Sequence, residues 1–368
     1  PASPVDPATR PATGKGSVTQ YDRWLRVPLT DGHADFHYKW LRQQCDLGRH
    51  PSTREQQVDS SQIADDITAW AAFVDADALY VHWTDDGRTS RYALSFLEQH
   101  AYARNRDAAP PPPADVQTIT LHRGADSDGV RTVVLAALER LPRHGAVLVR
   151  RDEGVTTPPQ DETDLLIDTF AAHGLRVIAT HFGRIEDLRT DNSTNQNTDQ
   201  LGYTDAAIGP HTDQPFLDHP PRLQLLQAIR PATQGGENQV VDALAAARYL
   251  RDVDRPSYDI LSTVPVDFHR KQRAFERRVV SPILRGDGDD FQIRYSYFTM
   301  APPQRPFAEL EAWYRAYDRF ARIVRDPRHQ YRFTLRAGDF LLYDNHRMLH
   351  ARSGFVGARW VRGIYFDR

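Results

Sequence analysis

The sequence contains very little cysteine and lysine and no long apolar run. Its single cysteine, Cys45, cannot form a disulfide within the chain, which is typical of proteins that work in a reducing compartment. No apolar stretch approaches the roughly 20 residues that a helix needs to cross a bilayer. The two absences argue against a disulfide-stapled secreted domain and a membrane-spanning protein, and they predict a cytoplasmic location.

A strong charge of either sign is also missing, because 46 lysine and arginine residues nearly balance 49 aspartate and glutamate residues. The net charge of -3 provides no basic field that would attract nucleic acid. The densest basic clusters, Arg270–Arg273 and Arg277–Arg278, are interpreted as solvated faces. The expected partner is therefore a small molecule, and neither nucleic acid nor a membrane.

Proline-rich segments divide the chain into two expected domains. Residues 1–18 are rich in small and polar residues and lack an apolar segment, so they predict a disordered tail rather than a signal peptide. The four consecutive prolines within residues 108–116 predict a stiff extended linker. This linker would separate a small N-terminal domain at residues 19–107 from a larger domain at residues 117–368.

Hydrophobic patterns predict individual elements in both domains. Ala78–Trp83 is predicted to be a strand, Val130–Leu141 a helix and Ala146–Val149 a buried strand. Many short strands suit a mostly antiparallel β-sandwich or jelly roll with flanking helices.

His211 and Asp213 are separated by one residue, and a second histidine, His350, lies near the C-terminus. Side chains two residues apart in a strand point to the same face, so His211 and Asp213 could bind one metal ion together with His350. Two imidazoles and one carboxylate are the ligands of non-heme Fe(II) oxygenases. The same residue types could also hold zinc in a hydrolase, or belong to a metal-binding module without turnover.

Four segments around these residues carry a resemblance to a known family. The segments are Gly209–Phe216, Gly235–Asp242, Tyr343–Arg352 and Gly357–Tyr365. In this order they resemble the γ-butyrobetaine and trimethyllysine dioxygenases, which belong to the wider taurine dioxygenase (TauD/TfdA) superfamily. The N-terminal region also resembles the small domain of these enzymes, for example at Trp83–Gly87. The zinc-binding cysteines of that small domain are absent, so no zinc site is expected there.

The resemblance implies a fold and a reaction. The fold would be mainly β with flanking helices, with a double-stranded β-helix (jelly roll) catalytic domain preceded by a small α+β domain. The enzyme would be a dioxygenase that uses Fe(II), 2-oxoglutarate and O2, hydroxylates an unactivated C–H bond, and releases succinate and CO2. The oligomeric state is left open between monomer and homodimer.

The resemblance also implies roles for single residues at the cofactor end of the site. His211, Asp213 and His350 would be the iron ligands, because His350, rather than His346, precedes the Ala–Arg pair that matches the family. Arg359 would bind the far carboxylate of 2-oxoglutarate through a bidentate contact. Arg362 is the alternative to Arg359, since the loop after His350 is short. A weaker expectation is a second contact to 2-oxoglutarate from Asn238, and Arg352 is expected to be structural.

At the substrate end, family positions suggest a site for a small zwitterion. The residues expected around its cationic head are Phe182, Glu186, Tyr203 and Tyr365. Aromatic rings attract quaternary ammonium groups, whereas Glu186, which replaces a tryptophan, can accept hydrogen bonds from a primary ammonium. Gln200 and Arg294 are expected to bind the anionic tail, and an added arginine favours a phosphonate. The predicted substrate is thus a betaine-like carboxylate or an aminoalkylphosphonate.

Overall fold

The computed structural model describes residues 17–30, 32–50, 52, 56–102, 104–106, 111–121, 126–190 and 200–368. By internal contacts the chain divides into two units, Pro1–Ala109 and Pro110–Arg368. The predicted tail lies outside the described residues except for residues 17 and 18. Val18 is 8% exposed and packs in the core of the first unit, so the tail cannot extend to residue 18 as predicted.

In its described part, the first unit consists of two sheets and two short helices. Its strands are β1 (Thr19–Gln20), β2 (Trp24–Leu29), β3 (Gly32–His37), β4 (Ala69–Asp75), β5 (Ala78–Trp83), β6 (Thr89–Ala93) and β7 (Arg104–Arg106), and its helices are α1 (Tyr38–Gln44) and α2 (Leu94–Gln99). The sheets have the orders β1-β2-β3-β7 and β4-β5-β6. In β5, which matches its predicted bounds, Leu79, Val81 and Trp83 alternate into the core with period two.

The second unit contains most of the strands. They are β8 (Gln117–Leu121), β9 (Ala146–Arg151), β10 (Arg176–Ile178), β11 (Glu186–Arg189), β12 (Ile208–His211), β13 (Leu223–Arg230), β14 (Gln234–Gly235), β15 (Asn238–Asp242), β16 (Val266–Gln272), β17 (Phe275–Ser281), β18 (Leu284–Arg285), β19 (Gln292–Ile293), β20 (Tyr331–Phe333), β21 (Phe340–Asp344), β22 (Met348–Arg352), β23 (Phe355–Val356) and β24 (Trp360–Asp367). The helices are α3 (Ser127–His144), α4 (Thr163–Ala172), α5 (Ala243–Val253), α6 (Arg255–Thr263) and α7 (Phe307–Arg325). The predicted helix and buried strand fall inside α3 and β9.

Two sheets of the second unit carry the site. The larger has the order β10-β24-β13-β21-β9-β8, with β11 also paired to β24, and the smaller has the order β12-β22-β15-β20. Within the larger sheet only the β8–β9 pair is parallel among the described strands. The strands β16 and β17 form a separate hairpin.

The larger sheet is covered on both faces because its strands alternate. On β13, Leu223 and Leu225 pack with α3 and α4, whereas Leu226 and Ala228 pack with residues of the smaller sheet. A strand buried on both faces reads as an almost continuous apolar run, and Leu223–Arg230 has this character. The space between the two sheets is therefore a core, into which every second residue of β13 points.

The predicted linker is packed where it is described. Ala114 is 5% exposed and Val116 is 9% exposed, and both belong to the core between the two sheets. His329 contributes a further contact through its Nδ1, which donates to the Pro111 carbonyl at 2.9 Å. Residues 111–116 therefore belong to the second unit and are not a spacer, which corrects the boundary at residue 117.

No helix in the described part of the chain is long and apolar enough to cross a membrane.

Candidate metal centre

Two neighbouring strands bring the two predicted histidine ligands together. His211 ends β12, and the register pairs it directly with His350 on β22. Directly opposed side chains of an antiparallel pair are neighbours on one face, and the two imidazole centroids lie 4.1 Å apart. Asp213 Oδ1 lies 3.4 Å from His211 Nε2 and 3.9 Å from His350 Nε2. One donor atom from each residue lies within 4.8 Å of the others, so the three could share one metal ion.

Asp213 reaches this cluster from outside the strand. The spacing of the two residues predicts that Asp213 shares a strand with His211, but β12 ends at His211. The Thr212 amide then donates to the Tyr295 carbonyl at 2.7 Å. The Asp213 amide donates to Asn345 Oδ1 at 2.8 Å, and Asn345 Nδ2 donates back to the Asp213 carbonyl at 3.0 Å. A side-chain amide therefore does the positioning that a strand partner was expected to do.

Hydrogen bonds to the far side of each ring orient both imidazoles. His211 Nδ1 lies 2.9 Å from the Gly209 carbonyl, which can only accept, so Nδ1 carries the proton. His350 Nδ1 lies 2.9 Å from the Tyr343 hydroxyl, which donates its own proton to Gln224 Oε1 and therefore accepts from His350. Both Nε2 lone pairs are thereby left facing Asp213, as metal ligands require.

Three polar side chains in a row support the triad from the larger sheet. The register pairs Gln224 on β13 with Tyr343 on β21 and with Tyr365 on β24. Asp213 Oδ2 accepts from Gln224 Nε2 at 2.7 Å and from the Tyr365 hydroxyl at 2.8 Å. Oδ1 is thus left for the imidazoles. Gln224 and Tyr343 were not singled out in the sequence, although a glutamine inside an apolar strand is a signal that a buried partner exists.

The charges of the three residues suit a divalent cation. Burial alone would raise the pKa of Asp213, but the nearby His350 and His211 imidazoles and the hydrogen bonds outweigh burial and lower it. Burial, followed by the charge of His211, lowers the pKa of His350 to about 3. Near neutral pH the site thus offers one carboxylate and a neutral His350 ring, which is the state in which imidazole binds metal.

Tyr343→Phe should weaken binding of a divalent metal such as Fe(II) by about 10- to 100-fold, since this is the usual cost of losing a group that orients a ligand. The change removes the partner of both His350 Nδ1 and Gln224 Oε1. Anaerobic metal titration measures the effect. The control is Tyr331→Phe, which removes a hydroxyl from β20 beside the same core. Equal affinities in the two variants would contradict the orienting role of Tyr343.

Arg359 lies in the cavity that contains the triad, together with Asn238. In the described part of the chain, no group accepts a hydrogen bond from its guanidinium, which packs 5.5 Å from the centre of the Phe355 ring. Burial, and then the charge of Arg352, lowers the pKa of Arg359 to about 9, so it remains charged at neutral pH. Such a cation is a site for an anion that the described residues do not provide. Asn238 Nδ2 makes a long contact of 3.4 Å with the Gly236 carbonyl.

Arg362, the alternative to Arg359, points elsewhere. Its Nε donates to Asp187 at 3.0 Å, and its Nη1 donates to the Gln160 carbonyl at 2.9 Å and to the Thr163 hydroxyl at 2.8 Å. It does not line the cavity of the triad. The prediction that Arg362 could be the cofactor arginine is therefore corrected: it fastens β24 to β11 and to the start of α4. Arg352, expected to be structural, donates to the carbonyls of residues 204 and 206.

Glu186 is a buried carboxylate that also lines the cavity of the triad. Its Oε1 accepts from Gln200 Nε2 at 2.7 Å and from the Tyr203 hydroxyl at 3.2 Å, and its Oε2 accepts from the Tyr365 hydroxyl at 3.4 Å. Burial, and then repulsion from Asp213, raises the pKa of Glu186 to about 7. Four of the six predicted substrate residues therefore form one hydrogen-bonded cluster around Glu186. Of the four residues expected around the cationic head, Glu186 and Tyr365 line the cavity, whereas Tyr203 and Phe182, whose rings lie 6.1 Å apart, do not.

Arg294 does not serve the predicted role. Its side chain is buried, and its Nη atoms donate to the carbonyls of Pro215, Leu217 and Asp218 at 2.6 to 2.9 Å. These contacts bind the loop after the triad and leave Arg294 outside the cavity. The expectation that Arg294 contacts the substrate is thus corrected, because its guanidinium is committed to three backbone carbonyls.

Arg270, which was interpreted as part of a solvated face, lines the cavity instead. Its Nη2 donates to Gln200 Oε1 at 2.7 Å. The signal that could have located it is the alternation along β16, where Val266, Phe268 and Gln272 are buried and Lys271 is exposed. Because side chains alternate along a strand, Arg270 lies on the same face of β16 as Phe268. The prediction of a solvated face, made from composition alone, was therefore wrong for Arg270.

Comparisons with known proteins agree with this arrangement. Residues 107–365 match the family described as taurine catabolism dioxygenase TauD, TfdA family. The chain is 31% identical to a gamma-butyrobetaine dioxygenase of Pseudomonas sp. (strain AK-1), over 96% of this chain and 93% of that protein. It is 25% identical to a trimethyllysine dioxygenase of Meyerozyma guilliermondii, over 95% and 92% of the two chains. The fold is similar to that of the non-heme iron oxygenase OrfP, crystallised with Fe and alpha-ketoglutaric acid, with a TM-score of 0.50, 18% identity, and coverage of 68% and 93%.

Proposed function

Because this chain belongs to the taurine catabolism dioxygenase TauD, TfdA family, we propose that it is an Fe(II)- and 2-oxoglutarate-dependent dioxygenase that hydroxylates a small zwitterionic substrate with an ammonium head. The observation that carries this proposal is one cavity that holds His211, Asp213, His350 and Arg359. A zinc hydrolase would need the metal ligands, but it would not need a half-buried arginine in the same cavity whose guanidinium has no acceptor among the described residues.

The proposal extends to the architecture of the second unit. Its two facing sheets, with helices on the outer face of the larger one, support a double-stranded β-helix, or jelly roll, as the catalytic domain. The first unit, with its own core, would be the small domain that precedes it. In this architecture the two histidine ligands lie on the smaller sheet, Asp213 follows the end of its strand β12, and Gln224, Tyr343 and Tyr365 support the triad from the larger sheet.

The chain's own residues would perform three tasks in the reaction. His211, Asp213 and His350 would hold Fe(II), and Arg359 would hold the far carboxylate of 2-oxoglutarate, with Asn238 beside it. When bound, these two groups together with O2 supply the oxidising chemistry that replaces a C–H bond by a C–O bond. Leu226 and Val361 also line the cavity and would limit access of water to the reacting groups.

The proposal is tested by two measurements on the purified protein. Anaerobic addition of Fe(II) and 2-oxoglutarate should produce the weak visible charge-transfer band of the chelate. With air and a series of small ammonium compounds, succinate release should then exceed the rate without substrate. A well-folded protein that gives no band with Fe(II) and 2-oxoglutarate would overturn the proposed function.

We expect Glu186→Gln to raise the KM for a cationic substrate by about tenfold or more, because hydrogen bonds to a charged group contribute about 1.5–3 kcal/mol. Glu186 lies in the cavity and is held by three donors, so it is fixed in place for an ammonium group. The 2-oxoglutarate affinity should change little, since Arg359 is a separate group. Glu276→Gln, on the exposed face of β17, is the control. An unchanged KM in Glu186→Gln would remove Glu186 from the substrate site.

A further inference from the structure

The strongest feature outside the assigned roles is the position of Arg270 relative to Glu186. Gln200 connects the two residues, because its Nε2 donates to Glu186 Oε1 at 2.7 Å and its Oε1 accepts from Arg270 Nη2 at 2.7 Å. All three residues line the cavity of the metal triad. A carboxylate and a guanidinium are thus held at the two ends of one neutral amide. The two side chains therefore form a pair of opposite charges whose relative position is fixed by Gln200.

From this arrangement we infer that Arg270 binds the anionic tail of the substrate, with Glu186 binding its ammonium head, so that the pair selects zwitterions over simple amines. This inference rests on the proposed function and adds the residue that determines specificity at the tail. The substrate would lie along Gln200. Its ammonium group would replace no existing bond at Glu186, since a carboxylate has about four acceptor positions and three are used by the bonds described above.

The chemistry of Arg270 suits an oxyanion. A guanidinium has five N–H donors in a planar fork, so it can hold the Gln200 amide and a carboxylate or phosphonate at the same time. The other arginines near the cavity have different tasks. Arg294 holds three carbonyls outside it, Arg352 donates to the carbonyls of residues 204 and 206, and Arg359 lines the cavity with Asn238, where the cofactor is proposed to bind. Among the arginines that line the cavity in the described part of the chain, Arg270 is the one that contacts the Glu186 cluster, through Gln200.

The hairpin that carries Arg270 is anchored at the cavity by other contacts. Gln272, two residues further along the same face of β16, accepts from His181 Nε2 at 2.8 Å. The Phe275 ring stacks on His181 at 3.7 Å and meets Phe216 at 5.9 Å. These contacts on either side of the turn fix the strand that presents Arg270, and a fixed cation recognises an anion with less loss of conformational freedom than a mobile one.

The test compares ligands that share the same ammonium head and differ only in the charge of the tail. Straight-chain primary amines of two to six carbons would be used, each ending in a carboxylate, a phosphonate or a neutral amide. Their dissociation constants would be measured anaerobically, by the change they cause in the charge-transfer band of the protein with Fe(II) and 2-oxoglutarate. Wild-type protein should favour an anionic tail over the matched amide by about tenfold or more. Arg270→Gln should bring this ratio close to one, and Arg270→Lys should retain part of it.

The control variant is Arg273→Gln, because Arg273 is exposed on the same hairpin. It should keep the wild-type ratio. A ratio that is unchanged in Arg270→Gln would show that Arg270 only supports Gln200, and it would overturn the inference. The proposed function would still stand in that case, because the charge-transfer band with Fe(II) and 2-oxoglutarate would be present. A wild-type protein that shows no preference for the anionic tail, or binds none of the compounds, would also overturn it. Loss of the band from wild-type protein would overturn both conclusions.

Discussion

His350→Ala should lower Fe(II) affinity and 2-oxoglutarate-dependent turnover by more than about a hundredfold, since the loss of a mere orienting partner already costs 10- to 100-fold. The His350 ring faces Asp213 through Nε2, and its neutral form is favoured by burial. Without it, two ligands remain, and one half of the paired strands β12 and β22 no longer contributes to the site. The measurement is anaerobic Fe(II) titration followed by the charge-transfer band with 2-oxoglutarate.

The matched control for this prediction is His346→Ala, four residues earlier in the same segment. The His346 Nε2 atom lies 3.0 Å from the Pro220 carbonyl and 3.4 Å from Gln292 Nε2, away from the triad. Its loss should leave Fe(II) binding within about twofold of wild type, because no proposed metal ligand depends on it. Equal losses in both variants, or full metal binding by His350→Ala, would contradict the proposed assignment of the ligands.

The sequence predicted the parts of this site that follow from regular backbone. His211 and His350 meet because both lie on strands, and strands place neighbouring residues in register. Strand β5 and helix α3 also follow from the period of their apolar residues. Asp213 was predicted in the cluster for the wrong reason, since it is held by the Asn345 side chain after the strand has ended. A side-chain amide that replaces a strand partner has no periodic signal.

The arginines show why residue type alone could not complete the prediction. Arg270, Arg294, Arg359 and Arg362 have the same side chain, but Arg270 and Arg359 line the cavity, whereas Arg294 and Arg362 lie outside it and donate to other parts of the protein. The difference depends on which carbonyls and carboxylates the tertiary fold brings within about 3 Å. For Arg294 these are the carbonyls of residues 215, 217 and 218, nearly 80 positions away in the chain. No local sequence pattern predicts a contact between residues that are so far apart in the chain.

Arg359→Ala should raise the concentration of 2-oxoglutarate needed for half-maximal turnover by about 30-fold or more, because removal of one partner of a buried, charge-assisted pair costs about 2–5 kcal/mol. Its half-buried guanidinium packs beside Phe355, and in the described residues nothing accepts a hydrogen bond from it, so the cofactor's carboxylate would be its partner. Titration of the charge-transfer band with 2-oxoglutarate at saturating Fe(II) measures the change. Fe(II) affinity without the keto acid should be nearly unchanged, since the triad is intact.

Arg362→Ala should have the opposite effects from Arg359→Ala, a loss of stability without a loss of 2-oxoglutarate affinity. Arg362 fastens β24 to Asp187, Gln160 and Thr163, so its loss should lower the free energy of unfolding by about 1–3 kcal/mol through unsatisfied partners. The affinity for 2-oxoglutarate should remain close to that of the wild type, because Arg362 does not line the cavity. If Arg362→Ala lost 2-oxoglutarate binding at full stability while Arg359→Ala kept it, the two arginines would have to exchange roles. Thermal unfolding and 2-oxoglutarate titration of the same two preparations distinguish these results, because one reports the packing of β24 and the other reports the charge in the cavity.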